Sequence, residues 1–230
     1  PVVSNPHLGC GGVLLERLST ALVERGARVL VVDAGERAGS AGEMALVDLG
    51  QCVERLSPHV WYLAARGLAI RFVDSSGSTR RFLERIADAA PECDAVIVHA
   101  PPSELCRSFG HGRESSVAFL GDDAPCPIVF AEDRPASVTH AYAAMKLLTQ
   151  RAGLVVHDLL LGAAAHSPRS ERIAMQIATC ADDFLGAVLR DWVQIDPACN
   201  ATDAPTAPLR RLVREQLRDL HGDAVPSMTP

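Results

Sequence analysis

The chain has 230 residues, 48% hydrophobic and 22% charged, which excludes disordered and fibrous classes and supports a sizeable sheet-based core. A net charge of −6 excludes a global basic field for nucleic acid. Of the 22 basic residues only Lys146 is a lysine, so chemistry that needs a lysine anywhere else is closed to it.

Pro1-Val2-Val3 reads as a strand met part-way, without the basic and apolar stretches of a signal peptide, and residues upstream are expected. Residues 13–25 predict an amphipathic helix, with Leu14, Leu15, Leu18, Leu22 and Val23 on one side. Gly26 stops it, and 28–33 is an apolar run of the kind buried on both faces of a parallel sheet. A helix over 43–56 and a strand over 69–74 are expected, then a helix over 78–90 ended by Pro91. Strands follow at 94–99 and 127–131. Residues 138–151 predict a helix with Ser137 as its N-cap, 154–159 a strand, and 170–189 a long helix.

This alternation predicts an α/β fold: a doubly wound, mainly parallel sheet of six or seven strands with helices on both faces, 29–33 and 94–99 adjacent or nearly so. Residues 1–196 form that domain. Gly- and Ser-rich 110–124 reads as a surface loop and proline-bearing 197–208 as a linker. An amphipathic helix over 209–221 and a tail over 222–230 complete the chain. Seven cysteines without CxxC spacing and eight dispersed histidines predict neither a disulfide framework nor a metal site. No apolar run is long enough to span a membrane.

The strand–glycine–helix layout at Gly9-Cys10-Gly11-Gly12, followed by a strand ending Val31-Val32-Asp33-Ala34-Gly35, resembles the phosphate-loop proteins of the MinD/ParA group. Pro135-Ala136-Ser137-Val138-Thr139-His140-Ala141-Tyr142-Ala143-Ala144-Met145-Lys146 resembles a Pro-x-Ser-x-Thr-Asp-Ala-Tyr-x-x-x-Lys segment of the flagellar-number regulators of FlhG (FleN) type. The resemblance runs from about residue 2 to residue 220. It implies a P-loop-type fold, an ATP-dependent switch that dimerises, a cytoplasmic place at the inner membrane, and work with the flagellar GTPase of signal-recognition-particle type or other flagellar assembly proteins.

Departures from the family pattern fall where its chemistry sits. The Lys–Ser/Thr pair that grips phosphates and Mg²⁺ falls on or beside Gly11-Gly12, and the signature lysine near Pro6. Asp-Ala-Asp has become Asp33-Ala34-Gly35, and the strand that ends in the Mg²⁺-associated Asp ends in His99. Gly9, Cys10, Gly11, Gly12 and Asp33 are therefore a degenerate nucleotide site: an anion nest on one reading, a tight turn on the other. No catalytic residue is assigned, and no cofactor is expected unless the loop still holds ATP and Mg²⁺. A helix N-terminus supplies about 0.3–1 kcal/mol per charge, against about 8 kcal/mol for micromolar affinity.

Other residues keep two readings. His99 is a base or a buried strand-end histidine, and Cys10 has no nucleophile's partner pattern. Tyr142 and Lys146, one turn apart, are a partner-binding surface or the edge of a core helix. Asp191-Trp192, after the long helix, is an aromatic partner site or a packing anchor. Leu209, Leu212, Val213, Leu217 and Leu220 make a stripe opposite four arginines that either meets the membrane or packs back on the sheet. The leading expectation is a MinD-like regulator of flagellar number or placement, a pseudo-ATPase acting through protein contacts, as a monomer or a homodimer. An active ATP-dependent switch and an accessory of a secretion or partitioning system are the alternatives, and nucleic acid is not an expected partner.

Overall fold

The computed structural model describes residues 1–40, 42–46, 48–110, 125–200 and 202–221. Among these residues eight strands, where six or seven are expected, form one sheet: β1 (Val2–Val3), β2 (Val29–Asp33), β3 (Glu54–Ser57), β4 (Val60–Ala64), β5 (Ala95–Ala100), β6 (Ile128–Glu132), β7 (Val156–Gly162) and β8 (Val188–Ile195). Their order is β3-β4-β2-β5-β1-β6-β7-β8, parallel throughout except for β3, which pairs antiparallel with β4 at one edge. The α/β, doubly wound expectation holds. β2 and β5 are hydrogen-bonded neighbours, as their unbroken apolar runs predict.

Alternation along the strands sends residues to two cores. Val29, Val31, Ile97, Ile128 and Phe130 pack with α1 (Gly11–Glu24) and α6 (Ala207–His221). Leu30, Val32, Val98, Val129 and Leu161 pack on the other face, under α2 (Arg80–Ala89), α3 (Pro102–Phe109), α4 (Pro135–Leu147) and α5 (Ser170–Leu185).

Several elements differ from expectation. The helix expected over 43–56 is two 3₁₀ turns, Glu43–Leu46 and Gly50–Cys52, followed by β3, whose residues are all exposed. The strand expected over 69–74 is a 3₁₀ turn, Ala69–Phe72. The strand of that region is β4, whose Val-Trp-Tyr-Leu run carries the β-prone residues. The long helix stops at Leu185 because Gly186 takes the left-handed conformation, φ 61°, after which β8 begins. Asp191 and Trp192 therefore lie in an edge strand and not after a helix; Asp191 pairs with Arg211 at 2.7 Å. The helix α3 was not anticipated. The loop over 110–124 lies outside the described residues beyond Gly110, as does the tail.

The apolar stripe of α6 is turned inward. Leu209, Leu212 and Val213 are fully buried in one cluster with Leu14, Leu18 and Leu22, and Leu217 packs partly against them. The expected membrane face is thus spent on the protein's own core; the side chain of Leu220 lies outside the described residues. The segment before α6 is pinned as well: the buried Arg17 of α1 donates to the Asp203 carbonyl at 2.6 Å.

Candidate functional site: a glycine loop closed by a carboxylate

The loop between β1 and α1 sits at the carboxyl ends of the strands, where ligands bind in open α/β sheets. Buried Asn5 anchors it: its Nδ2 donates to the Phe130 carbonyl and to both the carbonyl and hydroxyl oxygens of Ser137, each at 3.0 Å. Ser137 is consequently not an N-cap. It lies inside α4, and its hydroxyl also accepts the Glu132 N–H at 2.9 Å. Cys10 stands at the N-cap of α1 without capping it through its side chain, and the first turn holds no acidic residue.

The acidic group comes from another strand. Glu132, the last residue of β6, is 8% exposed, and its Oε1 accepts the N–H of Cys10 at 2.8 Å together with the N–H of Gly9. Its Oε2 accepts Arg134 Nε at 2.7 Å and Arg134 Nη2. The carboxylate thus holds two of the loop amides. Burial alone would raise the Glu132 carboxyl, but Arg134 and the loop amides outweigh it and hold it below the usual range. Burial, with Glu132 beside it, pushes the Cys10 thiol up to about 12, so Cys10 is no thiolate nucleophile.

Beside the loop, Asp33 and His99 are register partners on β2 and β5 and share the α1 face. His99 Nδ1 lies 2.7 Å from Asp33 Oδ1, which also accepts the Gly35 N–H at 3.0 Å; Tyr62 donates its hydroxyl to Asp33 Oδ2 at 3.3 Å. Burial works against the Asp33 charge, but His99, Gly35 and Tyr62 hold the carboxyl low. A Cβ on residue 35 would lie 2.8 Å from His99 Cε1. The Gly at 35 and the His at 99 are therefore fitted to one another. With Ser4, Asn5, Gly11 and Gly12 these residues line a cavity of about 210 Å³.

The remaining expected residues lie elsewhere. Lys146 is exposed near the far end of α4, about 16 Å along the helix axis from Pro135 at 1.5 Å per residue. Tyr142 is half-buried and donates to the Cys180 carbonyl of α5 at 3.4 Å, so it does not share an open face with Lys146. Glu132 and Arg134 were missed. The only sequence signal was a Glu closing a buried strand two residues before an Arg, which ordinarily reads as a solvated strand end.

Comparison with solved structures places the architecture. The chain superposes on MinD of the MinC:MinD cell division complex of Aquifex aeolicus with a TM-score of 0.55, at 17% identity, over 98% of this chain and 96% of that one. The chain has the fold of MinD. Two plasmid partition proteins of Borrelia burgdorferi share it. One, bound to AMPPNP, has a TM-score of 0.56 at 10% identity over 95% of each chain. The other has 0.53 at 8% identity, over 96% of this chain and 95% of that one. No family model and no curated protein matches the sequence.

Proposed function

We propose that this chain is a regulator built on the MinD/ParA fold that acts through protein contacts and neither binds ATP with useful affinity nor hydrolyses it. The observation that carries the reading is Glu132 on the amides of Gly9 and Cys10. A triphosphate would have to displace a carboxylate that is already paired with Arg134, without a loop lysine to repay the exchange. ATP and Mg²⁺ do not fit the residues present. Asp33, the nearby carboxylate, is engaged by His99. Cys10 is held under Glu132, and Gly11, Gly12 and Asp33 line the small cavity beside it.

The segment from Pro135 to Lys146 supports the flagellar-number branch, with the flagellar GTPase of signal-recognition-particle type or another assembly protein as partner. The MinD of the Aquifex complex is itself held by a protein, MinC. The buried stripe of α6 argues against that helix as the membrane contact, and leaves the protein surface as the working part. Co-purification with the flagellar GTPase in nucleotide-free buffer tests the reading. Complex formation that is equal with and without ATP supports it, and complex formation only with ATP refutes it.

A further inference from the structure

Four arginines from three elements face one groove on the helical layer that carries α2, α3 and α4. The loop from Asp74 to Ser78 forms one wall: Asp74 Oδ1 accepts the Ser76 N–H at 2.8 Å, the Ser76 hydroxyl at 2.6 Å and the Ser78 N–H at 3.0 Å. Much of the Asp74 charge is therefore used within its own loop. The carbonyl of Arg107, in the last turn of α3, accepts the Thr79 N–H at 3.1 Å, locking the end of α3 to the start of α2. Cys106 Sγ contacts the Leu147 carbonyl at 3.6 Å, which ties α3 to the π-helical turn Leu148–Ala152 and its Arg151.

Arg80, Arg81, Arg107 and Arg151 line the resulting groove of about 690 Å³, against two carboxylates, Asp74 and Glu84. Arg107 and Arg151 end helical segments, where the helix dipole favours cations. Arg80 and Arg81 do the reverse. They open α2, whose first turn has no acidic residue, and whose Thr79 makes no side-chain cap but pairs with the Ser108 hydroxyl at 2.7 Å. An exposed cation such as Arg81 at the positive end of a helix opposes local stability, and such conflicts mark functional surfaces. Arg81, Arg107 and Arg151 are exposed and make no ion pair among the described residues.

We infer that this groove docks an acidic segment of a partner protein. Guanidinium forks match carboxylates in pairs. The groove is far larger than a single small anion, and among the described residues no aromatic ring lines it to stack a nucleobase. Its apolar lining is little more than Leu147 and Cys106, too little for an acyl chain or an amphipathic helix. Because α3 and α4 leave the carboxyl edge of the sheet, their last turns lie away from the loop closed by Glu132, so the contact stands apart from any nucleotide.

The test is fluorescence anisotropy of a labelled octaglutamate peptide on the full chain. The expected result is saturable binding that weakens with salt and falls roughly tenfold or more when Arg107→Glu and Arg151→Glu are combined. Arg25→Glu, an exposed change just past the end of α1, should leave the binding unaltered. If the double variant melts early, Arg81→Glu alone supplies the reading and should weaken binding. No binding to the wild-type chain, binding indifferent to these arginines, or much tighter capture of inorganic pyrophosphate than of the peptide would each overturn the inference.

Discussion

Glu132 Oε1 lies 2.8 Å from the amide nitrogen of Cys10, across the width of β1 and 122 residues later in sequence. A carboxylate of the protein thus stands where the fold would present amides to a ligand. The Gly9 and Cys10 amides of a loop with a Gly–Gly helix start and no lysine are satisfied from within.

The first prediction concerns that carboxylate. Glu132→Ala leaves the Gly9 and Cys10 amides and Arg134 without their acceptor. A loss of about 2 kcal/mol in urea unfolding is expected, the usual range for bonds to a charged group. The same variant should gain protection against unfolding by pyrophosphate, which the wild type lacks. A variant as stable as wild type and indifferent to pyrophosphate would show that the contact does not matter.

A second concerns Gly35 and His99. Gly35→Ala places a Cβ against the imidazole and should destabilise by about 1–3 kcal/mol, as overpacking does. Adding His99→Ala removes the obstacle, so the double variant should lose less than the two single losses combined. Additive losses in a double-mutant cycle would show that the two sites are independent.

Acid stability supplies the third. His157, fully buried on β7, has its Nε2 3.2 Å from the Thr149 hydroxyl and an Nδ1 without a partner among the described residues. Burial pushes it from 6.5 down to about 4. Between those values the unfolded chain binds a proton that the folded chain refuses. Stability is therefore full above pH 6.5 and declines as pH falls to 4, by about 3 kcal/mol. His157→Phe should flatten that interval in a series of melts. Asp33 and Glu132, both held low, add a further loss at more acidic pH that the variant leaves in place.

The fourth separates the two roles of α6. Leu212→Glu puts a charge into the cluster shared with α1 and should unfold the chain or lower its stability by at least about 3 kcal/mol. Selective loss of liposome co-sedimentation with an unchanged melt would instead restore the membrane face.

What the sequence made legible follows from burial. β2, β5, β6 and β7 read clearly because strands covered on both faces are unbroken apolar runs. β3 and β8 did not, being edge strands with exposed or mixed sides, and β8 continues the apolar spacing of α5 past Gly186. The absence of a lysine from the loop was readable in the sequence. The loop's closure was not: Glu132 is near Gly9 only because β6 lies beside β1, a neighbour relation that local patterning does not carry. His99 was seen as a substitution, and its partnership with Asp33 needed the register of two strands.

The central claim is that this loop has given up its nucleotide. Isothermal titration of the wild-type chain with ATP and Mg²⁺ tests it most directly. The account predicts no saturable heat at ordinary nucleotide concentrations and no phosphate release above a mock preparation. A dissociation constant in the low micromolar range, worth about 8 kcal/mol, would mean that Glu132 yields its place to phosphate and would contradict the account.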